Sequence, residues 1–265
     1  AGHAGGGLEL TGDDAVTFPG VGHFRRWDAF SLALWVRLPE AYPRAILLHR
    51  SKAWHDSGSR GYQWLVEGGL FSASLIHFWP GDGLRVRTQE PLPVGEWVHL
   101  AMTYDGSSRA EGMRLFVNGR AVEVHVVRDC LTRTIVGGSE GHLTLGERFR
   151  DRGLAGGLVD ELVVVARALA AVEVARLYDG DQPVDASPAP ALQLSPQQRE
   201  ALRSARQQRD ELRDRVRQIM TMEDTAEERV VRRLERGSYE LPREVVTRGV
   251  PRAIGPELSS AAPVN

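Results

Sequence analysis

Residues 95–122 read GEWVHLAMTYDGSSRAEGMRLFVNGRAV, and this stretch decides the fold. From Glu96 to Asp105 apolar residues alternate with smaller or more polar ones, the two-residue period of a strand with one buried face. Asp105, Gly106 and Ser107 then read as a turn, because Asp and Ser side chains cap their own backbone. After it, MRLFV from Met113 meets Asn118-Gly119, the dipeptide that best tolerates the positive φ of a type I′ hairpin, so MRLFV is expected to pair with AVEVHV. Working outward, further short apolar runs punctuated by Gly, Asp and Pro begin at Leu8, Phe30, Ala45, Tyr62, Phe71, Leu84, His142 and Leu158. Roughly a dozen strands exceed the usual single sheet, so residues 8–179 are expected to form an all-β, two-sheet antiparallel sandwich. Leu32, Leu34, Leu100, Met102, Leu115 and Val117 should fill its core.

The whole chain has 265 residues, formal net charge −2 and pI near 6.5. That balance gives no global field to draw nucleic acid or an anionic membrane, so partners have to be read from local patches. No apolar run approaches the roughly 18 residues of a membrane span. Cys130 is the single cysteine, which excludes an intrachain disulfide or a cysteine zinc site in this sequence. Lys52 is the only lysine, so the basic charge is arginine, whose planar fork suits carboxylate and sulfate partners where it clusters. The chain opens AGHAGGG without an initiator methionine and reads as a piece of something longer; an extracellular, cell-surface or periplasmic setting is expected.

Composition divides the chain into a sandwich over 1–180, a Pro/Ala/Asp-rich linker over 181–194, a helix over 195–220 and an extended tail over 221–265. Ser195, Pro196 and Gln198 stand as N-cap, N1 and N3 of a capping box. Leu202, Leu212, Val216 and Ile219 recur at near-heptad spacing, which predicts an amphipathic helix packed by one narrow apolar seam. The tail is interrupted by Pro and Gly and lacks apolar residues enough for its own core.

The stretch 95–122 resembles the central laminin-G-like signature, in which a Trp- and His-bearing strand leads to Thr-Tyr-Asp-Gly and a hairpin ending Val-Asn-Gly. LTLGERFRDRGLAGGLVDELVVVARALAAVEVARLYDG over 143–180 is similar to its closing signature, with Asp160 and Glu161 before the last strand and a short helix beneath the sandwich. The resemblance implies a concanavalin A-like jelly roll. HRSKAWHDSGSRGYQWLVEGG, SLIHFWPGDGLRVRTQEPLPVGEW and the tail LERGSYELPREVVTRGVP further resemble the insert, and the start of the uncharacterised domain after it, in large multidomain proteins carrying planctomycete-type cytochrome c modules. In that tail a Pro-Gly pair precedes Glu, whereas here Pro242 is followed by Arg243.

No strand carries the alternating carboxylates that a glycanase on this fold needs for an acid and a nucleophile about 5 Å apart. Asp160 and Glu161 are adjacent and on a strand point to opposite faces. The chain is therefore read as a binding module and not an enzyme. Its candidate ligand residues are Trp54, Arg60, Tyr62, His77, Trp79, Arg85 and Arg148, with Arg85 and Arg87 sharing one strand face. Aromatic planes that stack on sugar rings and guanidinium forks that hold an acidic group would make a carbohydrate site of them if they meet at one rim. Trp27, Trp35 and Trp97 are expected in the core. Calcium is the one cofactor the sequence admits, through Asp13, Asp14 and Asp160, since the first and last strands lie together in this class. Partners expected are a carbohydrate, an acidic polysaccharide in particular, or neighbouring domains of the same polypeptide. The alternative is an interdomain docking module with no glycan ligand.

Overall fold

The structure is a computed structural model that describes residues 2–52, 60–136, 141–181, 194–217, 219, 231–237 and 242–246. Two compact units divide it, Ala1–Val216 and Arg217–Asn265. In the first, the strands are β1 (Leu8–Leu10), β2 (Val16–Phe18), β3 (Phe30–Arg37), β4 (Arg44–Arg50), β5 (Gly61–Glu67), β6 (Leu70–Phe78) and β7 (Asp82–Thr88). They continue as β8 (Trp97–Tyr104), β9 (Met113–Val117), β10 (Arg120–Ala121), β11 (Val124–Cys130), β12 (Leu143–Leu145) and β13 (Gly157–Val165). Helices α1 (Ala171–Tyr178) and α2 (Pro196–Arg215) follow.

These strands form a six-stranded sheet in the order β1-β13-β3-β8-β9-β10 and a seven-stranded sheet in the order β11-β7-β6-β5-β4-β12-β2. Every pairing in them is antiparallel. The two-residue period works as expected: Leu32, Leu34, Leu100, Met102 and Leu115 are buried in the core between the sheets, with Val117 partly buried against it. Tyr62, Trp64 and Val66, with Phe71, Ala73, Leu75, Leu84 and Val86, face them from the other sheet.

At Asn118-Gly119 both residues take positive φ, 50° and 73°, as a type I′ turn requires. The hairpin it closes is shorter than the sequence suggests, for only Arg120 and Ala121 pair with β9. The chain then crosses to the other sheet, where β11 runs along the edge against β7.

Helix α1 covers the outer face of the six-stranded sheet: Val174 and Leu177 pack with Leu169 on Ala33, Ala101 and Phe116. Trp35 lies on this outer face, not in the core, with Tyr178 stacked on it at 5.4 Å between ring centroids. Trp97 is only partly buried.

Helix α2 begins as predicted, the Gln198 N–H donating to Ser195 Oγ and the Ser195 N–H to Gln198 Oε1. Its docking face is not the apolar seam. Leu202, Leu212 and Val216 are exposed, and so is Ile219 beyond the helix. Contact runs instead through Arg203 to Asp28, Arg206 to Asp105, Arg209 to the Ser107 carbonyl, and a fully buried Arg26–Asp210 pair. The physical reason lies in what the sandwich offers at that end, carboxylates and carbonyls that an arginine-rich face satisfies and leucine would leave bare.

The described part of the second unit is a two-stranded ribbon, β14 (Arg232–Leu234) paired with β15 (Pro242–Val245), with exposed Arg233–Glu244 and Arg243–Glu235 pairs across it.

Candidate functional site

While α1 covers the six-stranded sheet, the outer face of the seven-stranded sheet is polar. Because residues alternate along each strand, Tyr62, Trp64 and Val66 in the core put Gln63, Leu65 and Glu67 outside. The register then carries one polar row across six strands: Thr144, His49, Gln63, Ser74, Arg85 and Arg128 stand opposite one another in turn. The next row holds Leu65, Ser72, Arg87 and His125.

Four guanidinium groups and two carboxylates organise this face. Arg44 bridges the carboxylates, 2.7 Å from Glu67 and 2.7 Å from Asp151. Arg85 reaches Glu67 at 3.2 Å and Ser74 Oγ at 2.8 Å. Arg148 comes down from the loop after β12 and donates to Asp151, Gln63 Oε1 and Ser51 Oγ. Burial would raise the Asp151 carboxyl, but the hydrogen bonds and charges of Arg44 and Arg148 outweigh it and hold the group below its usual range. Burial lowers Arg85 to about 10, with Glu67 opposing and the nearby Arg44, Arg148 and Arg87 adding to the fall.

Donors outnumber acceptors here. Gln63 Nε2, Ser72 Oγ, Arg85 Nη2 and Arg87 Nε are buried without a hydrogen-bond partner among the described residues. Buried polar groups are nearly always satisfied, so a cluster of such atoms on one face sets it apart from the rest of the sandwich. The indole of Trp79, partly buried on the turn between β6 and β7, lies over Arg85 with Cζ 3.9 Å from the ring centroid.

Of the residues picked from sequence, Trp79, Arg85 and Arg148 meet on this face. Tyr62 does not: it points into the core, 2% exposed, its hydroxyl donating to the Gly22 carbonyl at 2.9 Å. Arg60 and His77 share the core-side phase of their strands and meet at the sheet's end, Arg60 Nη2 3.3 Å from His77 Nε2. The other ring nitrogen donates to the Thr134 carbonyl at 2.7 Å, so this pair pins the loop after β11. Trp54 lies outside the described residues. Sequence reading missed Arg44, Gln63, Glu67, Ser72 and Ser74. Their common phase with Arg85 was the available signal.

The structure does not gather Asp13, Asp14 and Asp160 at one point. Leu10 pairs with Gly157 and Leu8 with Val159, so residues after Leu10 leave this ladder at the end opposite Asp160. Two of the carboxylates are also engaged: Asp14 accepts the Thr11 hydroxyl at 2.8 Å, and Asp160 accepts the N–H groups of Ala4 and Glu161. The Asp13 backbone N–H faces Thr11 Oγ1 at 3.4 Å. Calcium needs six to eight oxygens about one point. Among the described residues no three His, Cys, Asp or Glu side chains are placed to hold a metal.

Among solved structures, the CBM40 module of the Ruminococcus gnavus IT-sialidase bound to α2,3-sialyllactose is similar, with a TM-score of 0.52 and 14% identity over 65% of this chain and 96% of that one. A second structure of that module gives a TM-score of 0.51 at 14% identity, with the same 65% and 96% coverage. Domain 4 of AbnA, a GH43 extracellular arabinanase of Geobacillus stearothermophilus in complex with arabinotriose, shares 19% identity at a TM-score of 0.44, over 67% of this chain and 78% of that one. No curated protein sequence matches. Residues 10–175, more than half of the chain, match the laminin-G-type family described as the concanavalin A-like lectin/glucanases superfamily, and to that superfamily the chain belongs.

Proposed function

We propose that this chain is a non-catalytic module that binds carbohydrate, acidic sugars in particular, on the outer face of the seven-stranded sheet. The observation that carries the reading is the unmet donor set, Gln63 Nε2, Ser72 Oγ, Arg85 Nη2 and Arg87 Nε, on a face with more guanidinium groups than carboxylates. A sugar carboxylate brings the acceptors and the negative charge this face lacks. Trp79 and the half-buried Arg87 form the accessible rim, where an indole plane can stack on a sugar ring. The lectin membership supports a sugar as ligand class, and so does the similar fold of a module solved with sialyllactose, itself an acidic sugar. Binding without catalysis is supported by the two carboxylates of the face, both neutralised by Arg44, since a general acid needs a carboxyl held protonated.

Calorimetric titration of the full chain with α2,3-sialyllactose, and with lactose as its neutral counterpart, tests this. Tighter binding of the acidic sugar is expected, weakened about tenfold by Arg87→Ala, in keeping with the loss of one charge-assisted contact. The melting temperature of that variant should stay unchanged, because Arg87 makes no ion pair among the described residues. Preference for lactose, or an Arg87→Ala variant that binds as the unmodified chain does, would sink the acidic-sugar reading. The enclosure of Arg85 and Arg148 in ion pairs favours a second reading, a docking face for a neighbouring domain. On that reading neither this pair nor a wider glycan array yields any binding.

A further inference from the structure

A cavity of about 810 Å³ lies between α2 and the end of the sandwich, away from the polar face. Phe24 and Trp27 line it from the segment before β3, Leu194, Pro196 and Leu202 from the helix side, and Ala166 and Ala168 from the loop before α1. Its size is that of pockets that hold small organic molecules.

Two features in it are unmatched. Trp27, 6% exposed, has an enclosed indole N–H with no acceptor among the described residues. The other cations of the lining are engaged: Arg203 with Asp28 at 2.8 Å, Arg206 with Asp105, Arg167 with Glu173 at 2.7 Å. Arg199 has no ion pair among the described residues. Leu194 and Leu202, 43% and 40% exposed, leave apolar surface at the same place. An apolar wall and one unspent positive charge together describe the complement of an apolar-bodied organic anion.

We propose that this cavity is a second binding site, for a small aromatic carboxylate or sulfonate whose ring lies against Phe24, Trp27 and Leu202 and whose anionic group meets Arg199. It is independent of the sugar face. Asp28, Asp105 and Glu200 in the lining each stand within ion-pair distance of Arg203 or Arg206, which leaves Arg199 over, so charge complementarity chooses an anion over a neutral or cationic ligand.

The test titrates the full chain with anilinonaphthalene sulfonate, which fluoresces in apolar surroundings, and with uncharged phenylnaphthylamine beside it. Saturable one-to-one binding of the sulfonate is expected. Arg199→Ala should weaken it about fivefold while leaving the uncharged dye unaffected, the size of one partly screened ion contact. Ala168→Trp, which fills the cavity from an exposed position, should abolish binding of both dyes. Neither variant should lower the melting temperature, and Arg87→Ala should change nothing, which separates this cavity from the polar face. Absence of saturable sulfonate binding overturns the proposal, as does sulfonate affinity at the unmodified level in either cavity variant.

Discussion

His49 sits on the outer face of the seven-stranded sheet with its imidazole closed off from water. Nδ1 accepts from the Ser51 N–H at 3.2 Å, so Nε2 keeps the proton it donates to the Glu147 carbonyl at 2.8 Å. Burial, with Arg148 beside it, lowers its pKa to about 4, and burial, with His3, does the same to His99. An unfolded histidine titrates near 6.5, so between about pH 4 and 6.5 the unfolded chain binds more protons than the folded one. Stability is complete above that window and falls as pH drops through it, by on the order of 3 kcal/mol per histidine. Urea midpoints at neutral pH and at about pH 4.5 check this: His49→Gln should lose less on acidification than the unmodified chain. Arg148 teaches a related lesson. Its charge was legible, but its burial depends on Ser51 and Gln63, which are 97 and 85 residues away in the chain. Arg148→Ala should cost about 3 kcal/mol in denaturant melts, because it strands their polar atoms in an enclosed site. Tyr62 could have been placed from sequence, since its phase with Trp64 and Val66 is the phase of the core.

At the scale of elements, strand periodicity was readable and partner choice was not. The Asn118-Gly119 turn could be named from two residues, whereas the crossing of β11 to the other sheet rests on Val124–Thr88 and Cys130–Gly83 pairings that no local pattern encodes. Helix α2 shows the same limit. Its cap follows from Ser195 and Gln198, but which face docks depends on Asp28 and Asp105, far away in the chain. The turn also separates backbone strain from packing. Gly95, at φ 80°, has open space where a Cβ would stand, while at Gly119, φ 73°, a Cβ would lie 2.9 Å from Tyr178 Cβ on α1. Gly95→Ala should therefore cost only about 1 kcal/mol, the penalty of the left-handed conformation. Gly119→Ala should cost at least about 2 kcal/mol, because α1 must also shift. Equal losses in thermal melts of the two variants would show that α1 yields freely there.

Seen as a whole molecule, the first unit treats its three outer surfaces differently. The six-stranded sheet is closed by α1 through apolar contacts, the seven-stranded sheet keeps a polar face, and the sandwich end takes α2 through charges. The first pattern was expected from the resemblance of residues 143–180 to a signature with a short helix beneath the sandwich, and part of the second from the shared phase of Arg85 and Arg87, while the third was hidden because an ion pair needs one residue on each side. The pair that fixes α2 joins Arg26 to Asp210, both fully enclosed, with Nε and Oδ2 3.5 Å apart, near enough for charge pairing but not aligned as a hydrogen bond. Arg26 also donates to the Asp210 carbonyl and to the Asp214 carboxylate, so one side chain holds the last turns of the helix. Removing Arg26 leaves the enclosed Asp210 carboxylate only the partly exposed Arg209, 2.9 Å away, at a cost of about 3 kcal/mol, whereas replacing both buried partners with apolar groups of similar volume is often neutral. A helix that docks by one stripe on an independently packed sandwich should then detach before the sandwich unfolds. Arg26→Met is therefore expected to expose the arginines of α2 to trypsin while the sandwich strands resist. Arg26→Met with Asp210→Leu should restore protection. Cleavage followed by mass spectrometry decides it: an α2 as protected in Arg26→Met as in the unmodified chain would mean that the outer arginines Arg203, Arg206 and Arg209 suffice to hold the helix.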